Sequence, residues 1–240
     1  IMIKSMVGSS AAAVYSIAYT IGTMVLLVTN AVNNSFVPFT YQSLKQKKYD
    51  GIKKNATLLC IFVAVMVILS MAFAPEIILI FGGRKYYEAI WVVPPVAVSM
   101  FLIFLYSLFS NIEYYFKKTG FIAAASVVCA GANLLLNWIF IPIFGYYAAG
   151  YTTLVCYGLF SVMHYIFYCK ALKQEAINPS EVYNIKHLLL ILGVVIIIMF
   201  LMTLTYEHLI IRYAFVVVIC ITLWVKRKNI IKWLKTIRNK

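Results

Sequence analysis

Five asparagines within long apolar stretches are the first candidates for chemistry in this sequence. Asn30, Asn33 and Asn34 occupy one helical turn, and Asn133 and Asn137 are four residues apart. Residues three and four apart share a helical face, so each set can form one polar patch. Because polar groups are costly in hydrocarbon, the patches predict either amides that hydrogen-bond neighbouring helices or the lining of a hydrated cavity.

A second polar cluster combines Asn111 and Glu113 with Lys117 and Lys118 at the end of an apolar stretch. Glu113 and Lys117 are four residues apart, which predicts an ion pair on one helical face. Alternatively, the lysines extend their charged ends from the apolar stretch into the headgroup region. His164 lies within another apolar stretch, where it is either a hydrogen-bonded structural residue or a proton relay.

Two further cations, Arg84 and Lys85, precede Tyr86 and Tyr87 in a short loop. Basic and aromatic side chains together are typical of membrane interfaces, where they serve as anchors. A guanidinium can also bind the phosphate of an anionic headgroup, which makes Arg84 a candidate for that role.

Enzyme chemistry is not predicted. Six of the seven acidic residues lie alone near the ends of apolar stretches, and Asp50 lies in a lysine-rich loop. Hydrolysis or group transfer needs a positioned acid, base, nucleophile or metal-binding carboxylate cluster, and no HExxH, DxD or paired-carboxylate motif occurs. The five cysteines are widely spaced without a CxxC motif, so neither a disulfide framework nor a zinc site is expected. We expect no metal and no cofactor.

Membrane-spanning helices must position these residues. Of the 240 residues, 64% are hydrophobic and 12% are charged, and the mean hydropathy is +0.92, far from the values of a soluble domain. Stretches of about 20 apolar residues, each long enough to cross a bilayer core of roughly 30 Å, recur along the chain. The sequence therefore predicts an all-α, polytopic transmembrane helical bundle, with Ile1 to Ile3 as the end of an additional span. The seven full spans are predicted at 11–40, 56–81, 89–115, 121–141, 145–169, 187–206 and 210–226.

The formal net charge of +14 fits the positive-inside bias of membrane proteins better than nucleic-acid binding. Counted by alternate loops, 17 of the 21 lysines and arginines lie on one side, in the loops 41–55, 116–120, 170–187 and 226–240. This bias predicts that those loops and the C-terminus are cytoplasmic. The basic tail 227–240 is expected to rest on membrane lipids. The chain begins Ile-Met-Ile-Lys, without a signal-peptide pattern, so we expect it to be part of a longer protein.

Three stretches form a series with a distinctive order and spacing. The first contains Ile1-Met2-Ile3, Val7-Gly8 and Ala13-Val14-Tyr15-Ser16-Ile17-Ala18-Tyr19. The second contains Ala74-Pro75-Glu76-Ile77-Ile78 followed by Phe81-Gly82-Gly83, Tyr86 and Ala89. The third contains Asn133, Asn137, Ile141-Pro142-Ile143-Phe144-Gly145-Tyr146 and Ala148-Ala149-Gly150-Tyr151-Thr152-Thr153. Over about residues 1–170 the series resembles the polysaccharide exporter branch of the multidrug/oligosaccharidyl-lipid/polysaccharide (MOP) superfamily, the O-antigen and capsule repeat-unit flippases.

The resemblance implies a fourteen-helix exporter, with two six-helix lobes around a central cavity and two further helices at the end. Matched from its C-terminus, the chain corresponds to the end of helix 7 and to helices 8 to 14. Residues 1–169 would then be the C-terminal transport lobe and 170–186 a cytoplasmic loop. The two additional helices would occupy 187–226, followed by the tail 227–240.

The resemblance also implies a function. An undecaprenyl-pyrophosphate-linked oligosaccharide would cross the bacterial inner membrane by alternating access of the two lobes. The implied partners are this lipid-linked substrate, membrane lipids, the missing N-terminal lobe and polysaccharide polymerase machinery. Sugars need amides, hydroxyls and aromatic rings in place of water, which the five asparagines with Tyr15 and Tyr19 would supply. Lys117, Lys118 and Arg84 are the candidates for contacting the pyrophosphate or a headgroup.

Two alternatives remain open. A cation-coupled drug exporter of the same superfamily would carry membrane-embedded acids, and this sequence places no acid in the middle of a predicted span. A membrane-embedded polymerase or ligase of surface polysaccharide would carry a large outer loop with Arg and His. The predicted outer loops here are short, which argues against that alternative.

Overall fold

The computed structural model describes residues 1–225, and every regular element in this part of the chain is helical. Six of its helices, each of 21 to 37 residues, are long and apolar enough to cross a membrane. This confirms the predicted all-α, polytopic bundle. The predicted seventh span, 210–226, overlaps a shorter helix, Leu209–Val225. The expected tail 227–240 lies outside the described residues. The helices are α1 (Met2–Met6), α2 (Ser9–Lys45), α3 (Tyr49–Ala72), α4 (Ala74–Phe81), α5 (Val93–Tyr115), α6 (Thr119–Phe144), α7 (Tyr146–Gln174), α8 (Pro179–Val182), α9 (Ile185–Thr205) and α10 (Leu209–Val225), with 3₁₀ turns at Arg84–Trp91.

The predicted loop 41–55 is instead largely helical, because only three residues connect α2 to α3. Lys47 has a φ of 55°, and the backbone N–H of Lys48 donates to the carbonyl of Ser43 at 2.9 Å. This left-handed turn satisfies carbonyls at the end of α2 and reverses the chain within three residues. The turn from α5 to α6 is built in the same way, with Lys117 at a φ of 57°.

The predicted span 56–81 is two helices, α3 and α4, which are separated at Phe73. Pro75 lies in the first turn of α4, where its missing N–H costs no helical hydrogen bond. The hydroxyl of Tyr206 donates to the carbonyl of Met71 at 3.0 Å, close to the break.

Helix α5 forms the centre of the bundle. It contacts α2, α3, α7 and α9, and 19 of its 23 residues are buried. Most side chains of α5 are apolar, and they occur on every side of the helix. Such a helix is expected to be buried, because it has no polar face to present to solvent. Two glycines on neighbouring helices, Gly22 of α2 and Gly150 of α7, lie directly against side chains at the beginning of α5.

Helix α6 lies at the edge of the bundle. It packs mainly on α7, and Ala125 and Ile141 are its only buried residues, so most of its apolar surface is exposed. The five-residue helix α1 packs against α2 and α6. Ile1 to Ile3, which the sequence predicts as the end of an additional span, therefore lie beside α6.

The close approach of α2 to α5 predicts a stability effect at Gly22. An added Cβ there would lie 2.6 Å from Cγ1 of Val96 and 3.3 Å from Cε of Met100. We expect Gly22→Ala to destabilise the protein by about 1–3 kcal/mol through overpacking. Thermal unfolding of the purified protein in detergent would measure this as a lowered midpoint.

The matched control is Gly131→Ala on α6, where an added Cβ meets no atom within 4 Å. Alanine is a better helix former than glycine, so this variant should unfold at the same or a higher temperature. Equal losses in the two variants would contradict the close packing of α2 on α5.

Candidate functional site

A cavity of about 630 Å³ lies between α2, α6 and α7, beside the first residues of the chain. Tyr15 and Tyr19 of α2 line one wall, and Asn133 and Asn137 of α6 line another. The structure thus brings together four of the residues that the sequence singled out. Helix α7 supplies a third wall, formed by Ala149, Thr153, Cys156, Tyr157 and Phe160.

The two cavity asparagines belong to a hydrogen-bonded network. Nδ2 of Asn137 donates to Oδ1 of Asn133 at 2.9 Å, and the hydroxyl of Thr152 donates to Oδ1 of Asn137 at 2.6 Å. Thr152 lies on α7, so the network joins α6 to α7 while it faces the cavity. Both roles considered from the sequence, hydrogen bonding between helices and lining of a cavity, are therefore present at these two residues.

Aromatic rings make up much of the remaining cavity wall. The rings of Tyr15 and Tyr19 are stacked, with centroids 6.0 Å apart, and Tyr157 and Phe160 lie on the wall formed by α7. Amides can donate and accept hydrogen bonds, whereas ring faces contact apolar surfaces. Such a wall suits a ligand that presents hydroxyl groups and C–H faces together. Thr153, Cys156, Tyr157 and Phe160 belong to this site although no pattern in the sequence singles them out.

The asparagines of α2 do not line this cavity. Asn33 accepts a hydrogen bond of 2.8 Å from Nδ2 of Asn111, which joins α2 to α5, whereas Asn30 and Asn34 are exposed. At 1.5 Å per residue, Asn30 lies about 16 Å from Tyr19 along the helix. With 3.6 residues per turn, Asn30, Asn33 and the two tyrosines fall within about 60° of one another around α2. They thus lie on one face of α2.

Glu113 pairs with His164 of α7 rather than with Lys117. Nδ1 of His164 lies 2.8 Å from Oε1 of Glu113, and both side chains are at most 1% exposed. The predicted Glu113–Lys117 pair does not form, because α5 ends at Tyr115 and the left-handed turn takes Lys117 off the helical face. His164, considered from the sequence as a lone intramembrane histidine, thus has an acidic partner.

Each member of this pair has one polar atom without a partner. Oε2 of Glu113 and Nε2 of His164 are buried, and neither has a hydrogen-bond partner within residues 1–225. A buried polar atom left without a partner costs about 1–3 kcal/mol. All seven acidic residues lie in the described part of the chain, and Glu113 is the buried one among them.

Aromatic rings separate the pair from the cavity. The ring of Tyr106 stacks on His164 with centroids 5.3 Å apart, and Phe160 makes an edge contact with His164 at 4.5 Å. Phe160 also lines the cavity. One ring therefore contacts the histidine and forms part of the cavity wall.

The candidate cations lie away from the cavity lining. Lys117 is exposed and Lys118 half-buried in the turn after α5, whereas Arg84 is exposed in the segment before α5. The 23 residues of α5 separate the two groups by about 34 Å, at 1.5 Å per residue. One pyrophosphate cannot contact both groups at once.

Arg212, which lies within the predicted span 210–226, is buried. Its guanidinium pairs with Glu76, whose Oε1 also accepts a 3.0 Å hydrogen bond from the hydroxyl of Tyr213. This cluster joins α10 to α4, and its charges are largely balanced. Two nitrogens of the guanidinium, Nε and Nη1, are buried without a hydrogen-bond partner in the described part of the chain.

Hydrogen bonding, ring stacking and the two acid-base pairs are the chemistry that these sites offer. Within residues 1–225 no group of three His, Cys, Asp or Glu side chains could hold a metal ion. No protein-family model, curated protein or solved structure matches the chain. A fold class alone does not specify an activity. The cavity and the Glu113–His164 pair are therefore the features that bear on function.

The cavity predicts a difference in reactivity between two native cysteines. Cys129 is half-buried and lines the cavity, whereas Cys60 is completely buried on α3. Maleimides react with thiolates, which need water nearby to form. In single-cysteine variants of the purified protein, we expect a hydrophilic maleimide to label Cys129 and to leave Cys60 unmodified.

Labelling after denaturation serves as the control, because both single-cysteine variants should then react equally. Comparable rates for the two cysteines in the native protein would contradict a hydrated cavity.

Proposed function

We propose that the chain is the C-terminal lobe of a flippase that translocates an undecaprenyl-pyrophosphate-linked oligosaccharide, an O-antigen or capsule repeat unit, across the bacterial inner membrane. The observation that carries this proposal is the cavity wall of asparagine amides and tyrosine rings within a bundle of apolar helices. Polar walls inside hydrocarbon are costly to maintain and commonly mark a substrate path.

Glycan recognition would use the two kinds of wall together. The amides of Asn133 and Asn137 replace water around sugar hydroxyls, while the rings of Tyr15, Tyr19 and Tyr157 cover the apolar faces of sugar rings. The volume of about 630 Å³ lies within the range typical of small-molecule sites. The cavity therefore has room for part of an oligosaccharide, and Asn30 and Asn33 extend the same face of α2 beyond it.

The lipid carrier would remain in the membrane. Leu134, Leu135 and Trp138 of α6 are largely exposed next to the cavity asparagines. A polyprenyl chain can lie against this apolar surface while the glycan occupies the cavity. In this proposal the missing N-terminal lobe closes the cavity, and rocking of the two lobes exposes it to each side in turn.

The cations at the two ends of α5 would act at different stages. Lys117 and Lys118 would attract the pyrophosphate at the cytoplasmic loading side, and Arg84 would contact it at the opposite side. The separation of about 34 Å along α5 is close to the thickness of a bilayer core, so each group can serve one leaflet. The C-terminus is cytoplasmic in this orientation.

The buried Glu113 favours one alternative, a cation-coupled drug exporter of the same superfamily. Such a protein needs an acid inside the membrane, and Glu113 is completely buried. The two functions differ in phenotype. Loss of a drug exporter would increase sensitivity to drugs while surface polysaccharide is preserved, whereas loss of the flippase would remove the polysaccharide.

The proposal predicts that Asn133→Leu combined with Asn137→Leu abolishes display of surface polysaccharide. Both amides that would contact the glycan are removed, and leucine fits a membrane helix. Thr152 would lose its bond to Asn137 but would keep its second acceptor, the carbonyl of Ala149 at 3.2 Å. We therefore expect the protein to remain in the membrane at its normal level, measured by immunoblot beside the polysaccharide assay.

Thr203→Leu on α9 is the matched control. Its hydroxyl bonds only within α9, to the carbonyl of Met199, among the contacts of the described chain, and α9 contributes nothing to the cavity wall. This variant should display polysaccharide normally. Normal display by the double variant would contradict the proposed role of the cavity, and a loss of protein would favour a purely structural role of the two amides.

The proposed orientation is tested by cysteines introduced at Lys47 and Lys85. Both positions are exposed, and they lie on opposite sides of the segment formed by α3 and α4. In intact cells, with the native cysteines replaced, we expect an impermeant thiol reagent to label position 85 and not position 47. The opposite pattern would reverse the orientation. Labelling of both positions after permeabilisation is the control.

A further inference from the structure

We propose that the end of α7 binds an anionic phospholipid of the phosphatidylglycerol type. The site is a groove of about 570 Å³ on the surface of this helix, called the α7 groove below. Its lining residues all belong to the last turns of α7 and are Tyr165, Ile166, Cys169, Lys170, Lys173 and Gln174. The inference concerns the lipid around the protein rather than the transported substrate, so it does not depend on the proposed function.

The α7 groove is separate from the cavity between α2, α6 and α7. At about 100° per residue, Cys169 and Lys173 lie about 180° and 220° around α7 from Phe160, which lines that cavity. His164, which contacts α5, lies only about 40° from Phe160. The groove therefore opens on the side of α7 that faces away from both the cavity and α5.

Two lysines form the polar end of the groove. The ammonium of Lys170 lies 5.2 Å from the centroid of the Phe121 ring, on α6, so a cation–π contact helps to hold it in place. Lys170 and Lys173 are exposed, and neither forms an ion pair within residues 1–225. Glu175 is the nearest acid in sequence, but it lies about 140° to 160° around the helix from both lysines. The groove thus carries two positive charges that a phosphate can balance.

An apolar stripe continues from the groove along α7. Val155, Leu159, Val162 and Ile166 are 38–58% exposed and lie within about 60° of one another around the helix. The stripe extends about 17 Å at 1.5 Å per residue, and Lys170 follows it one turn later. An acyl chain can therefore lie along the stripe while its phosphate contacts the lysines.

The length of α7 places the lysines at the depth of lipid headgroups. Its 29 residues extend about 43 Å, whereas the hydrocarbon core of a bilayer is about 30 Å thick. The ends of the helix therefore reach into the headgroup regions. A phospholipid is the molecule that presents a phosphate at this depth with acyl chains directly beside it.

The two charges favour an anionic headgroup over a zwitterionic one. Phosphatidylglycerol carries a phosphate without an amine, whereas the ammonium of phosphatidylethanolamine would be repelled by Lys170 and Lys173. The side-chain amide of Gln174, at the same end of the groove, can donate to and accept from the hydroxyls of a glycerol headgroup.

Native mass spectrometry of the complete protein measures this preference. The purified protein is titrated separately with phosphatidylglycerol and with phosphatidylcholine of the same chain length, and the affinities for the first bound lipid are compared. A lysine beside an anionic lipid contributes about fivefold to binding. We therefore expect Lys170→Gln combined with Lys173→Gln to weaken phosphatidylglycerol binding by about thirtyfold and to leave phosphatidylcholine binding unchanged.

Lys45→Gln combined with Lys48→Gln is the matched control. It removes the same charge at the same spacing from exposed positions at the end of α2 and in the turn after it, so lipid binding should equal that of the wild type. Lys170→Arg combined with Lys173→Arg preserves the charge and should retain the preference. An unchanged preference in the glutamine variant of the groove, or an equal loss in the control variant, would overturn the proposal.

Cys169 reports directly on occupancy, because it is half-buried and lines the groove. The complete protein with Cys169 as its sole cysteine is labelled in detergent with N-ethylmaleimide. We expect phosphatidylglycerol to slow labelling, and phosphatidylcholine or inorganic phosphate at the same concentration to leave the rate unchanged. Equal slowing by both lipids would show that the headgroup is not recognised, and slowing by inorganic phosphate would show a site for a free anion. Either result would overturn the lipid site.

Discussion

Helix α5 has to be surrounded by other helices, because its Glu113 pairs with His164 of α7. Such a pair of polar side chains needs protein rather than lipid around it. Its contacts with α2, α3, α7 and α9 bury Glu113 completely and place His164 beside it. The same enclosure allows Asn111 to reach Asn33 on α2. Small residues permit it, since an added Cβ would lie 2.6 Å from Val96 at Gly22 and 3.2 Å from Pro95 at Gly150.

The two sides of α7 have different surroundings, and this difference creates the candidate site. One side packs on α5 and contributes His164 to the buried pair, whereas the other meets α6 and contributes Thr152 to the asparagine network. Helix α6 is held mainly by α7, so the cavity beside it has a lightly packed wall. Phe160 lies where the two regions meet. The buried Glu113–His164 pair and the cavity are therefore adjacent along one helix.

Hydropathy predicted the approximate positions of the six long helices, but several boundaries differ and the predicted seventh span falls on the shorter α10. Three of these differences come from backbone chemistry at particular residues. Lys47 and Lys117 adopt left-handed conformations that shorten the connections, and Pro75 starts a new helix within a predicted span. The expected Glu113–Lys117 pair depended on a helix continuing to Lys117, and α5 ends two residues earlier. A sequence window averages over such local events, which is why helix ends are the least predictable part of the fold.

The sequence by itself determined that the chain is a helical membrane protein and that its embedded amides are candidate functional groups. Both inferences depend on local composition and on the cost of polar groups in hydrocarbon, which each segment carries independently. Only the tertiary structure decided which of those groups meet. Asn133 and Asn137 join Tyr15 and Tyr19 in one cavity, whereas the asparagines of α2 lie elsewhere. Glu113 meets His164 across 51 residues of sequence because that contact depends on the rotation and register of α5 against α7, which no single segment specifies.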